Sequence, residues 1–104
     1  MPKAKERKPV TLRVKCWAGT PHELEIEVKS TPASAKSFLH GRVQKRQKWA
    51  WRFNHAMATE LAEIMQAIDS INIQALDVGE VFEWSSRDAY TGVTLVYGLE
   101  VQAK

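Results

Sequence analysis

From Val10 to Trp17 the chain alternates, with Val10, Leu12, Val14 and Cys16 on one side and Thr11, Arg13, Lys15 and Trp17 on the other. A period of two is that of a strand with one face in water, so the stretch is expected to be a half-buried strand. A second alternation sets Leu24, Ile26 and Val28 against Glu23, Glu25, Glu27 and Lys29. The intervening Ala18-Gly19-Thr20-Pro21-His22 has the composition of a turn, which makes the two stretches a hairpin. In that pairing the apolar residues of both strands face the core. The glutamates face outward against Arg13 and Lys15, each cross-strand pair contributing from tenths of a kcal/mol to about 1 kcal/mol.

The period changes after Ser30-Thr31-Pro32. Thr31 suits the capping of free backbone amides, and Pro32 is pre-set for the first position of a helix. Farther on, Ala50, Phe53, Met57, Leu61, Ile64, Ile68 and Ile71 recur at steps of three and four. This predicts an amphipathic helix from about Arg42 to Asp69, its apolar stripe lying on the sheet with Ala50 and Phe53 pointing to the core. Gly41, about 1 kcal/mol worse than alanine inside a helix, is the expected break or kink, with a short helix before it. Asn72 is a helix stop, and Ile73 to Val78 reads as a short strand or loop. Val81 to Trp84 and Gly92 to Val101 form a second hairpin across the polar segment from Ser85 to Thr91, with Val93, Leu95, Tyr97, Leu99 and Val101 on its apolar face. The order strand, strand, helix, strand, strand predicts an α+β domain, an antiparallel sheet packed on one long amphipathic helix.

The size of the chain, 104 residues, suits one domain. Its 44% apolar and 26% charged residues are those of a globular protein. Residues 1–9, with four basic side chains and two prolines, read as a flexible basic arm, leaving 10–104 as the domain. No apolar run suits a signal peptide or a membrane span, so the protein is expected to stay in the compartment that made it. The lone cysteine, Cys16, has no partner for an intramolecular disulfide; a reducing cytoplasm suits it, and the alternation makes it a buried small hydrophobe.

Charge changes the picture more than composition does. Residues 1 to 31 carry seven basic and four acidic groups, 32 to 54 six basic and no acidic groups, and 55 to 104 two basic and eight acidic groups. A molecule with such poles can steer an anionic partner to one face, orient self-association, or fold one pole against the other.

Candidate chemistry is sparse. His22, His40 and His55 lack the spacing that brings imidazoles onto one metal ion, and no cofactor is expected. Glu60 and Glu63, three apart, read as a solvated helix face, and the polar cluster Ser85, Ser86, Arg87, Asp88 and Tyr90 as turn residues. Gly79, Gly92 and Gly98 are isolated, so no glycine-rich phosphate loop is present. The chain is therefore expected to bind rather than to catalyse.

His40 to His55 stands apart, with five Lys or Arg, two histidines, two tryptophans and no acid. On a helix Gln44, Lys48, Trp51 and His55 share one stripe, and Lys45, Trp49, Arg52 and Ala56 the next. Both tryptophans cannot be buried by one stripe, and Trp51 is expected at the surface. Cations neutralise phosphates and an exposed indole stacks on an unpaired base, so Arg42, Lys45, Arg46, Lys48, Trp51, Arg52 and His55 form a candidate surface for DNA or RNA. Arg46 is the member whose spacing turns it partly toward the core. No helix-turn-helix, zinc finger, KH loop or RNP aromatic pair is present, which points to backbone-plus-stacking binding.

The same mixture of Trp and Arg also anchors protein interfaces. The alternative is an accessory or inhibitor protein of phage or mobile-element type, docking on a larger, nucleic-acid-handling partner. Its surface would be the basic helix or the acidic half around Glu80, Glu83, Asp88 and Glu100. A third reading makes the aromatic and basic residues purely structural. A homodimer fits either binding reading.

Overall fold

The computed structural model describes residues 12–103. Residues 1–11 and 104, and with them the expected basic arm, lie outside the described residues. The element order is β1 (Leu12–Thr20), β2 (Glu23–Lys29), α1 (Pro32–Phe53), α2 (His55–Asp69), a short 3-10 turn (Ile73–Ala75), β3 (Val81–Arg87) and β4 (Thr94–Ala103). The four strands form one antiparallel sheet in the order β2-β1-β4-β3, so the expected α+β class holds. Each hairpin keeps its own strands adjacent, and the two hairpins meet through β1 and β4 at the centre.

Both helices lie on the same face of the sheet. Val14, Cys16 and Ala18 of β1 and Leu95, Tyr97, Leu99 and Val101 of β4 meet Leu39, Val43, Ala50, Met57, Leu61 and Ile68, all buried. The expected inward face of the last strand is thus present, except that Val93 falls in the turn before it.

The helical region departs from expectation at both of its joints. Helix α1 begins as Thr31-Pro32 predicts, with Thr31 Oγ1 accepting from the Ser34 amide at 3.1 Å. It then runs through Gly41 without a break. That glycine is exposed, and helical hydrogen bonds continue on both sides, so its weak propensity is overridden.

The break comes instead at Asn54, inside the helix predicted as continuous. Its amide donates to Ala50 O at 2.7 Å, ending α1, while its Oδ1 accepts from the Met57 amide at 3.1 Å, starting α2. One residue caps two helices. The second helix turns back along the first, so that Gln47 donates to Ala58 O at 3.4 Å and Lys36 Nζ to Asp69 O at 3.0 Å. The reversal also corrects Phe53: as the last residue of α1 it is 63% exposed rather than in the core.

The second hairpin's polar connection is shorter than expected, since Ser85, Ser86 and Arg87 continue strand β3 instead of forming the turn, and the first hairpin carries a larger correction. Its turn is only Pro21-His22, pairing Thr20 with Glu23, and that register continues through Cys16 with Glu27 and Val14 with Lys29. Directly paired residues share a face. Glu23, Glu25, Glu27 and Lys29 therefore sit on the helix side, and Leu24, Ile26 and Val28 on the outer side, at 38%, 52% and 56% exposure. A two-residue turn fixes this parity, and one more residue would have reversed it.

Candidate functional site

Helix α1 packs beside β2 through charge. Arg42 Nε and Nη2 donate to the two carboxylate oxygens of Glu25 at 2.7 and 2.8 Å. The same guanidinium lies 4.6 Å from the centre of the Phe38 ring. The paired guanidinium holds the Glu25 carboxyl well below the usual carboxylate range, at about 2. Arg42, one of the candidate binding residues, is thus engaged in holding the edge strand to the helix.

One turn on, Arg46 is half-buried, as its spacing suggests. Its guanidinium lies 4.2 Å from the centre of the Trp49 ring. Its buried Nε has no hydrogen-bond partner among the described residues. Arg46 borders a groove of about 460 Å³ between α1 and the first hairpin, lined among others by Gly19, Glu23, Lys45, Trp49 and Tyr97. Burial pushes the Tyr97 phenol up to about 12, with Arg46 opposing the shift, so the floor of the groove is a neutral hydroxyl at physiological pH.

The remaining candidates lie on the solvent side of the second half of α1. Lys45, Lys48 and Arg52 are exposed and follow one another at steps of three and four residues. Such steps form a single ridge, about 10 Å long at 1.5 Å per residue. Among the described residues none of the three makes an ion pair.

Aromatic rings flank the ridge on both sides. Trp51 is 51% exposed, with the His55 ring edge-on to it at 5.5 Å. On the other flank Trp49, 37% exposed, lies 5.2 Å from Phe53. The structure therefore brings Lys45, Lys48, Trp51, Arg52 and His55 onto one surface, and turns Arg42 and Arg46 aside.

Trp49 and Phe53 belong to the same exposed surface; spacing sets Trp49 on a stripe with Lys45 and Arg52 without making it a candidate, and turns Phe53 to the core. The signal available was Asn54, a residue type favoured at helix caps, directly after Phe53. Phe53 could be read as surface only if the helix was taken to end there.

The acidic alternative surface loses one member. Asp88 is buried, its Oδ1 accepting from Asn54 Nδ2 at 3.1 Å and from the Tyr90 amide at 2.9 Å, its backbone closing the β3–β4 turn through Val93 and Gly92. These bonds, the Tyr90 amide first, hold its carboxyl below the ordinary aspartate range. It builds the turn and the helix joint, and a docking partner could not reach it.

The three histidines are spread over the turn of the first hairpin, the middle of α1 and the start of α2. Among the described residues no three His, Cys, Asp or Glu side chains converge as a metal site, and no helix is long and apolar enough to cross a membrane. Comparisons with protein families, with curated proteins and with solved structures find no match to this chain.

Proposed function

We propose that the protein is a non-catalytic binder of nucleic acid, using the exposed ridge of α1. The observation that carries this reading is the row Lys45, Lys48 and Arg52, without acidic partners among the described residues, set between Trp51 and Trp49. The cations capture the phosphate backbone and release its counterions, and the half-exposed indoles offer stacking faces to unpaired bases. Stacking of that kind favours single strands and carries weak sequence preference.

Titration of a labelled single strand at several salt concentrations tests the proposal. Lys48→Ala and Arg52→Ala should each weaken binding and flatten its salt dependence by about one ion. Trp51→Ala should weaken single-strand binding by about 1–3 kcal/mol with less change in the salt slope. Unchanged affinity in all three variants overturns the reading.

A second reading, docking on an acidic protein surface, draws on Phe53, whose exposed ring extends the aromatic patch beyond what a cationic ridge requires. A stoichiometric protein complex that survives nuclease and is lost in Phe53→Ala would favour it.

A further inference from the structure

The helices cover one face of the sheet, and the face turned away from them carries several exposed apolar side chains. Strand β2 supplies Leu24, Ile26 and Val28, and β3 adds Val81, 58% exposed at the far edge. Cross-strand pairing places Ile26 beside Trp17, and Trp17 beside Gly98. The indole lies across that glycine, where any Cβ would run into the ring. Its Nε1 donates to Glu83 Oε2 at 3.2 Å, so the one polar atom of the side chain is already satisfied. What Trp17 presents outward is hydrocarbon.

We infer that this outer face packs against the same face of a second copy, forming a two-fold symmetric dimer. The inference goes beyond the nucleic-acid reading and does not depend on it. Charge is arranged to suit such a pairing. On this face β1 carries Lys15 and β4 carries Glu100, in one row of the sheet. A two-fold axis along the strands lays β1 of each copy over β4 of the other. Lys15, which already faces Glu100 of its own chain, then also meets Glu100 of the second copy, Val28 meets its Val81, Ile26 meets its Glu83, and each such contact occurs twice.

The area is also sufficient. Four strands about 4.8 Å apart, each contributing about seven residues at about 3.3 Å, give a flat footprint of about 440 Å². Two such faces with their side-chain relief remove on the order of 1,000 Å² from water, the lower bound for a specific interface.

Sedimentation of the full chain from about 1 µM to about 1 mM, the span over which an interface near that lower bound dissociates, tests the inference. The expected result is a monomer–dimer equilibrium. Ile26→Glu, which sets a second carboxylate against Glu83 of the other copy, should abolish it while leaving the circular dichroism spectrum intact, because the side chain already stands half in water. Val28→Lys should do the same and serves if Ile26→Glu fails to fold. Lys15→Glu should raise the dissociation constant about tenfold, and adding Glu100→Lys to the same chain should recover it. Trp51→Ala, aimed at the α1 ridge, should leave the dimer unchanged, so loss of nucleic-acid binding and loss of dimerisation are read separately. A monomer throughout the range, including one that captures a different protein on this face, overturns the inference. So does a dimer that Ile26→Glu and Val28→Lys both leave intact.

Discussion

In β4 the residues Leu95, Tyr97, Leu99 and Val101 turn toward the helices and are almost closed to water, whereas in β2 Leu24, Ile26 and Val28 turn away from them and remain in it. Both strands alternate equally well. The difference lies in where each is attached. Strand β4 sits at the centre of the sheet under both helices, while β2 is an edge whose side chains are assigned to a face by a two-residue turn. The hairpins also differ in how they are fastened to the helical layer. The second is tied by the buried Asn54–Asp88 bond, and the first by the exposed Arg42–Glu25 pair. Alternation thus defines two faces of a strand, and the turn and neighbours decide which one is the inside.

The largest expected effect comes from truncating the inward face. Leu99→Ala should lower unfolding free energy by about 2–4 kcal/mol, by lost burial plus the cavity left behind, whereas Ile26→Ala in dilute protein should cost less than about 1 kcal/mol. Urea titration of both variants checks the contrast, and equal costs would break it.

The two fastenings should differ next. Asn54→Ala removes a helix cap and leaves the buried Asp88 carboxylate short of a donor, for a loss of about 2 kcal/mol by the same titration.

Glu25→Gln gives the smallest effect and the one most dependent on pH. The Glu25 carboxyl is held at about 2 in the folded protein, against an ordinary 4.5. The pair therefore stabilises the fold in full above the unfolded value, and its contribution is lost as pH falls from there through about 2. Thermal melts between neutral and strongly acidic pH should show a shallower acid decline for Glu25→Gln than for the wild type. The decline should not vanish, since the Asp88 carboxyl, also lowered, contributes in the same direction.

The sequence made the sheet, its two hairpins and the start of α1 legible because each rests on local chemistry: alternation, turn composition and the Thr31-Pro32 pair. It hid the parity of β2, which depends on whether the turn holds two residues or one more, a choice that Ala18-Gly19-Thr20-Pro21-His22 leaves open. It also hid the joint at Asn54. Ala50, Met57 and Leu61 keep helical spacing across the break because both helices lie on the same sheet, so periodicity passes through a reversal of the chain without a gap. The site followed suit. Lys45, Lys48, Trp51, Arg52 and His55 share a surface because they lie on the solvent side of a regular helix or just beyond it. Arg42 was drawn away by Glu25, a residue whose inward face no pattern along β1 and β2 revealed.

Cys16 lies between the sheet and the helical layer, fully enclosed, its sulfur 3.4 Å from Glu27 O. Burial, the largest of several influences, pushes the thiol up to about 11, so that hardly any thiolate forms at neutral pH. Access and ionisation both protect it. A probe attached through a cysteine introduced on the surface would therefore meet little competition from the native thiol. Conversely, a reagent that does modify Cys16 has reached it only after the helices have lifted from β1, which makes this one side chain a clock for the opening of the fold.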